Sequence, residues 1–79
     1  MRGESISKLL RAQPFTPFEI HLSGGEIHSV NHPESAWVAG SEVYVYYPED
    51  DRVAWLSLLH VTSLEHAQNG QRKKKGGKS

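Results

Sequence analysis

Residues 11–34 read RAQPFTPFEIHLSGGEIHSVNHPE, and this stretch decides the fold. Phe18, Ile20 and Leu22 alternate with polar residues, which is the two-residue period of a β-strand with one buried face. Gly24-Gly25 follows directly and is a tight-turn signal, because glycine takes positive φ without steric cost. The stretch therefore predicts a strand that turns back on itself.

The return strand completes a β-hairpin over residues 18–31. Its apolar pattern is less regular, and we place Val30, and with it His28, on the inner face. His32-Pro33-Glu34 interrupts pairing, since proline cannot donate a hydrogen bond to a ladder and suits a bulge or bend. The sheet is expected to turn a corner at this point.

A short helix precedes the hairpin. Ser5 is a plausible N-cap, and Ile6, Leu9 and Leu10 form one apolar stripe of an amphipathic helix that stops before Pro14. A helix of two or three turns is unstable alone and must dock its stripe on another element. We expect it to cover one open end of the rolled sheet.

The rest of the chain continues as short strands separated by turn signals. Strands are predicted over residues 36–39, 42–47, 53–57 and 61–65, with a single 3₁₀ turn near residues 57–60. Five or six strands at this spacing favour a closed barrel, which removes exposed strand edges. The predicted fold is mainly β: a small SH3-like or Sm-like five-stranded barrel with a short N-terminal α-helix, forming one domain over residues 1–67.

The chain has 79 residues, no cysteine and a formal net charge of zero. This length allows one domain with a small core, without disulfides or thiolate zinc sites to support it. The zero net charge is the sum of two opposite parts. Five of the nine basic residues lie in the last eight residues, which therefore carry a charge of about +5. Residues 1–71 keep four basic and nine acidic residues and have a charge of about −5.

Residues 68–79 form the basic tail, which we expect to be disordered because it has no apolar residue to bury. A flexible basic segment can bind nucleic acid non-specifically. The candidate nucleic-acid-binding residues are Arg72, Lys73, Lys74, Lys75 and Lys78. A solubilising terminus that folds transiently onto its own acidic domain is an equally good interpretation, since no aromatic residue is interleaved with these charges.

The order of helix and strands resembles the Sm-like (Hfq-type) barrels of RNA chaperones. The residues that carry this resemblance are Ile20-His21-Leu22-Ser23-Gly24-Gly25, similar to the first Sm motif, and Val61-Thr62-Ser63-Leu64, similar to the closing strand. The pattern LRAQPFxPFxIHL followed by HPE, at residues 10–22 and 32–34, also resembles small bacterial proteins without an assigned activity. The resemblance implies a barrel whose last strands pair between subunits.

The RNA site of the Sm-like chaperones does not carry over to this chain. Ser57-Leu58-Leu59 stands where a base-reading Tyr-Lys-His-like box would fall, and none of these residues can stack on or ion-pair with a nucleotide. His32-Pro33-Glu34 replaces the acidic Sm loop motif. Tyr44, Tyr46 and Trp55 could stack on bases, but packing in or on the barrel is the favoured role for them.

Metal binding and catalysis are not expected. His21, His28 and His32 invite a metal hypothesis, but their spacing does not bring three or four ligands together on a strand and a bend. The one acidic cluster, Glu49-Asp50-Asp51, belongs to a solvated turn rather than a cleft. We therefore predict no enzymatic activity, no cofactor and no metal.

The apolar residues near the end of the chain exceed what one small core absorbs. The candidate interaction surface is Trp37, Trp55, Leu56, Leu58 and Leu59. The predicted function is a non-catalytic binding module for protein–protein interaction or self-assembly, with a homo-oligomer through residues 53–66 as the first hypothesis. The alternative is RNA binding through the basic tail.

A cytoplasmic location is expected, without membrane association. No apolar run approaches the roughly 20 residues needed to span a bilayer, and the N-terminus lacks the pattern of a secretory signal.

Overall fold

The computed structural model describes residues 2–66. The predicted basic tail, including its candidate nucleic-acid-binding residues, lies outside this part of the chain. The described part is mainly β with one short N-terminal helix, as predicted. Its elements are α1 (Gly3–Arg11), β1 (Phe18–Leu22), β2 (Ile27–Val30), η1 (Pro33–Ser35), β3 (Ala36–Ala39), β4 (Glu42–Tyr47), β5 (Arg52–Ser57), η2 (Leu58–His60) and β6 (Val61–His66), where η denotes a 3₁₀ turn.

The six strands form two antiparallel three-stranded sheets. The strand orders are β2-β1-β6 in sheet A and β3-β4-β5 in sheet B. The closed five-stranded barrel is therefore not confirmed. The chain passes from sheet A to sheet B through η1, where Pro33 lacks the N–H that a continuous ladder would use.

The predicted hairpin of β1 and β2 is confirmed. Ile20 lies opposite His28, and Phe18 lies opposite Val30. His28 and Val30 therefore lie on the same inner face as the buried side chains of β1, as predicted. Gly25 has φ +98°, a conformation that glycine adopts without strain. Its N–H donates to the Leu22 carbonyl at 2.9 Å and closes the turn.

The hydrophobic core lies between the inner faces of the two sheets and beneath α1. Phe18 and Ile20 of β1 are almost fully buried, and Leu22 packs against the core at its margin, as the alternation predicted. Within residues 2–66 the buried core residues are Ile6, Phe18, Ile20, Val30, Ala36, Val43, Val45, Leu56, Leu58 and Val61.

Helix α1 docks through the predicted apolar stripe. Ile6 is fully buried, and Leu9 and Leu10 pack against the core. The predicted N-cap is wrong: the helix begins at Gly3, with Arg2 in the capping position, and Ser5 lies within the first turn. No helix in residues 2–66 is long and apolar enough to cross a lipid bilayer.

The start of α1 lies against β3 at close range. A Cβ atom added to Gly3 would approach Cγ1 of Val38 to 2.8 Å, which is closer than real Cβ contacts allow. Gly3 therefore lets the helix backbone come nearer to sheet B than a larger residue would, and this places the buried Ile6 side chain over the core.

Candidate functional site

Three aromatic side chains form a row across the outer face of sheet B. Tyr44 is central on β4, with Trp37 directly opposite on β3 and Trp55 directly opposite on β5. The row points outward because Val43 and Val45, on either side of Tyr44, point into the core. We call these three residues the aromatic row.

The rings of the aromatic row contact one another. Trp37 stacks on Tyr44 with the ring centroids 5.3 Å apart and the planes 4° from parallel. Trp55 meets Tyr44 edge-to-face at 5.5 Å. Both arrangements are favourable for aromatic pairs and hold the rings in place on the sheet surface. Each ring of the row therefore packs against a neighbouring ring on the sheet surface.

The two tryptophans at the ends of the row are open to solvent. Trp55 is 71% exposed and Trp37 is 46% exposed. Tryptophan is highly buried on average in folded proteins, so two exposed indoles on one sheet face are unusual. Tryptophan and tyrosine are also the residues most enriched at the centres of protein interfaces.

A groove of about 410 Å³ lies beside Trp55, between the turn that joins β1 to β2 and the end of β5. Its walls are tied together by a hydrogen bond from the Ser23 N–H to the His60 carbonyl at 2.8 Å. The Ser57 hydroxyl accepts the Leu59 N–H at 3.3 Å and holds the start of η2. The groove is lined by Leu22, Ser23, Gly24, Glu26, Trp55, Leu56, Ser57 and His60.

The groove combines apolar surface with one carboxylate. Leu22 and the Trp55 indole supply the apolar contacts, and Glu26 supplies the formal charge among the lining residues. The Glu26 side chain is largely exposed, and its carboxylate accepts from Nε2 of His28 at 3.3 Å. A second carboxylate, that of Glu42, accepts the Tyr44 hydroxyl at 3.3 Å at the aromatic row. The surroundings of Trp55 are thus apolar and acidic.

The structure divides the predicted interaction surface into two groups. Trp37, Trp55 and Leu59 are exposed. Leu56 and Leu58 are core residues, at 5% and 6% exposure, so their assignment to an exposed surface is corrected. The β-strand period points Leu56 inward beside the buried Val43, and the 3₁₀ turn that begins at Leu58 returns this side chain to the core.

The described residues are acidic overall. Residues 2–66 contain nine acidic residues and four basic ones, Arg2, Lys8, Arg11 and Arg52. A net charge near −5 disfavours contact with nucleic-acid phosphates on this part of the chain. RNA binding through the tail stays a prediction that rests on residues outside the described part.

The histidines considered as metal ligands do not converge. His21 points to the outer face of sheet A, whereas the neighbouring His28 lies on the inner face. Instead, one ligand atom from each of Glu19, His21 and Glu65 lies within 4.8 Å of the others. The sequence could not show this group, because the pairing of β1 with β6 brings Glu65 opposite Glu19. The Nε2 atom of His21 is 3.0 Å from the Glu19 carboxylate, so an ion pair or hydrogen bond between these two side chains accounts for their proximity without a metal.

His28 and Tyr47 link the two sheets. The Tyr47 hydroxyl and Nδ1 of His28 are 2.6 Å apart, and both side chains are partly buried. Since Nε2 of His28 faces the acceptor-only carboxylate of Glu26, a neutral imidazole carries its proton on Nε2 and accepts the Tyr47 proton at Nδ1. The Arg52 guanidinium lies over the Tyr47 ring, 4.8 Å from its centroid.

Phenol ionisation is expected to destabilise the fold at alkaline pH. Burial raises the pKa of Tyr47, and the Glu26 carboxylate adds to this rise against the opposing charge of Arg52. The hydrogen bond to Asp51 raises the pKa of Tyr46, and partial desolvation and Glu42 raise that of Tyr44. A raised folded-state pKa means that the native state holds its protons longer, so stability is complete below about pH 10 and falls above it.

Absorbance at 295 nm measures this ionisation directly. The native protein should titrate above the midpoint of the urea-unfolded chain, and the free energy of unfolding should decrease from pH 9 to pH 11. Tyr47→Phe should lessen that decrease in the free energy of unfolding, and the pKa values of Tyr44 and Tyr46 should stay raised in this variant. A native titration at or below the unfolded midpoint would contradict the prediction.

No protein-family model, curated protein or solved structure matches this chain. The resemblance to Sm-like barrels therefore stays a prediction.

Proposed function

We propose that this protein is a non-catalytic binding module that associates with protein through the aromatic row and the adjoining edge of sheet B, and that its first partner is a second copy of itself. The observation that carries the proposal is the exposed Trp55 at the end of an ordered row with Tyr44 and Trp37. Rigid, solvent-exposed aromatic rings bury a large area on association and lose little conformational entropy.

The strand order supports an SH3-like or Sm-like barrel as the finer description of the fold. If β2 and β3 are one strand interrupted at η1, the order of pairing is β6-β1-(β2, β3)-β4-β5. In that arrangement β5 and β6 are the terminal strands. Each is paired with one neighbour in the described part of the chain, and both lie within residues 53–66 apart from the start of β5.

A second copy fits this surface because the exposed side of the β5 edge is apolar. Val53 and Trp55 are both exposed on β5, and Leu59 follows on η2 at 86% exposure. An edge strand with unpaired backbone groups is a template for another strand, and apolar neighbours strengthen such pairing. The zero net charge of the full chain also removes the long-range repulsion between two copies.

The size of the surface indicates a weak association. Three strands span about 14 Å across the sheet and six residues span about 20 Å along it. A contact confined to this face is smaller than the roughly 800 Å² per partner of a standard stable interface. We therefore expect dissociation constants in the micromolar to millimolar range.

Sedimentation equilibrium over micromolar to millimolar concentrations tests the proposal. The wild-type protein should show concentration-dependent dimerisation or higher assembly. Trp55→Ser should weaken it by about tenfold or more, as expected for truncation of a large exposed aromatic anchor. The matched control is Ile27→Ser, which removes another exposed apolar side chain, on the outer face of sheet A. A monomer across the whole range, or equal association of the two variants, would rule the proposal out.

A further inference from the structure

We infer that the groove beside Trp55 binds lysine and arginine side chains, and that its occupant is residues 72–75 of the same chain. This inference rests on the proposed function in one respect, namely that the aromatic row is a binding surface. It adds that the groove binds cationic side chains and that the tail competes with a second copy for this surface.

The groove has the chemistry that recognises a long cationic side chain. Leu22 and the Trp55 indole can cover the aliphatic stem, and the ring face attracts the charged head. Glu26 supplies a carboxylate at the groove itself. Ser23 and Ser57 add polar atoms at its walls.

The charges around the groove favour a cation. Glu42 lies directly opposite Ser57 in the ladder and accepts the hydroxyl of Tyr44, so a second carboxylate stands beside the aromatic row. The basic residue of β5, Arg52, is at the other end of that strand, where it lies over Tyr47 and near Asp50. None of the residues that line the groove in the described part of the chain is lysine or arginine.

The tail is long enough to reach the groove. Strand β6 begins beside η2, where Val61 pairs near Leu22 of the groove, and ends at His66 opposite Phe18. Its six residues cover about 20 Å, so the chain leaves the sheet about 20 Å from the groove. An extended segment from residue 67 to residue 75 spans about 30 Å, which exceeds that distance. Lys74 and Lys75 can therefore return to the groove within one molecule, while Arg72, six residues past His66, spans about 20 Å and reaches its edge.

Attachment to the same chain compensates for a weak contact. Attachment through a tether of this length gives an effective concentration of about a millimolar, which is enough to populate a site of comparable dissociation constant. Exposed ion pairs and cation–π contacts are weak and are screened by salt. The bound tail would cover Trp55 and compete with a second copy, and added salt would release it.

The test uses the full-length protein and a variant in which Arg72→Gln, Lys73→Gln, Lys74→Gln and Lys75→Gln are combined. The ¹H–¹⁵N NMR resonances of the Trp55 indole and of the Glu26 and Ser57 amides should differ between the two proteins at low salt and coincide at about 0.5 M NaCl, where the Debye length is only a few ångströms. A peptide of residues 71–79 added to the variant should move the same resonances back. The control, Lys8→Gln with Arg11→Gln, removes exposed charges from α1 and should leave them unchanged.

Three results would overturn the inference. The first is that groove resonances do not respond to neutralisation of the tail. The second is a difference that grows with protein concentration, which would place the tail on another molecule. The third is a response confined to the tail on addition of a generic RNA, with no change at the groove between the two proteins, which would assign these charges to nucleic acid.

Sedimentation separates this inference from the proposed function. Release of the tail by about 0.5 M NaCl should strengthen self-association of the wild-type protein by about twofold or more, because the tail and the second copy compete for Trp55 and salt also screens any repulsion between copies. If groove resonances respond but every protein is a monomer, the proposed self-association fails and the tail site stands. If the protein dimerises through Trp55 but the groove resonances do not respond to the tail, the tail site fails and the proposed self-association stands.

Discussion

Phe18→Ala is expected to lower the free energy of unfolding by about 3–5 kcal/mol, the range for removing a buried phenylalanine side chain. Phe18 is 1% exposed and lies in the core where β1 pairs with both β2 and β6. A folded part of this size has a total stability of about 3–10 kcal/mol. The variant should therefore lose a third or more of its stability and should either be unfolded at room temperature or unfold at a much lower urea concentration than the wild type, as measured by circular dichroism and urea titration.

The neighbouring Phe15 provides the matched control. Its ring contacts that of Phe18 edge-to-face at 6.2 Å, but it is only partly buried at the margin of the core. Phe15→Ala should cost clearly less than Phe18→Ala, and the protein should remain folded. Equal losses for the two variants would mean that β1 is not the central wall of the core.

The sequence predicted the hairpin well because two local signals agree. In β1 a strict alternation of apolar and polar residues coincides with a glycine turn, so the period and the turn select the same register. His32-Pro33-Glu34 was similarly predictable as a break, since proline cannot continue a ladder. Whether the strands on either side of this break close into one barrel depends on long-range pairing, for which a local pattern carries no signal.

The faces of β4 and β5 were harder to assign. In β4 both phases carry large residues, and the sequence does not say whether Val43 and Val45 or Tyr44 and Tyr46 are buried. In the structure the valines fill the core and the tyrosines lie outside, which leaves the aromatic row on the surface. Leu56 and Leu58 are two residues apart and are both buried, whereas Trp55 and Leu59 occupy the alternate positions and are exposed. This two-residue alternation is the signal in the sequence that separates the two pairs.

The groove could not be predicted from the sequence. Its walls come from the turn after β1 and from η2, and they are joined by the hydrogen bond between the Ser23 N–H and the His60 carbonyl. Such a contact depends on the register of β1 against β6, which includes an irregularity between His21 and Leu22. Local propensity predicts the turn and the 3₁₀ segment separately but not their distance.

Ile6→Ala tests whether α1 is an integral part of the fold. Ile6 is fully buried, and loss of its side chain is expected to cost about 2–5 kcal/mol. Alanine has the higher helix propensity by a few tenths of a kcal/mol, so the substitution favours the helix itself and any loss of stability must come from docking. Urea unfolding should show the loss, and hydrogen exchange should show faster exchange of the α1 amides than of those in β1 and β4.

Ile27→Ala removes the same atoms from an exposed site. Ile27 is 52% exposed on β2, and its truncation should change stability by no more than about 0.5 kcal/mol. A nine-residue helix does not persist alone in water, so α1 exists because Ile6, Leu9 and Leu10 contact the core and Gly3 permits close approach to β3. If the two isoleucine variants are equally stable, the helix is not held by this contact, and the core is closed by the two sheets without it.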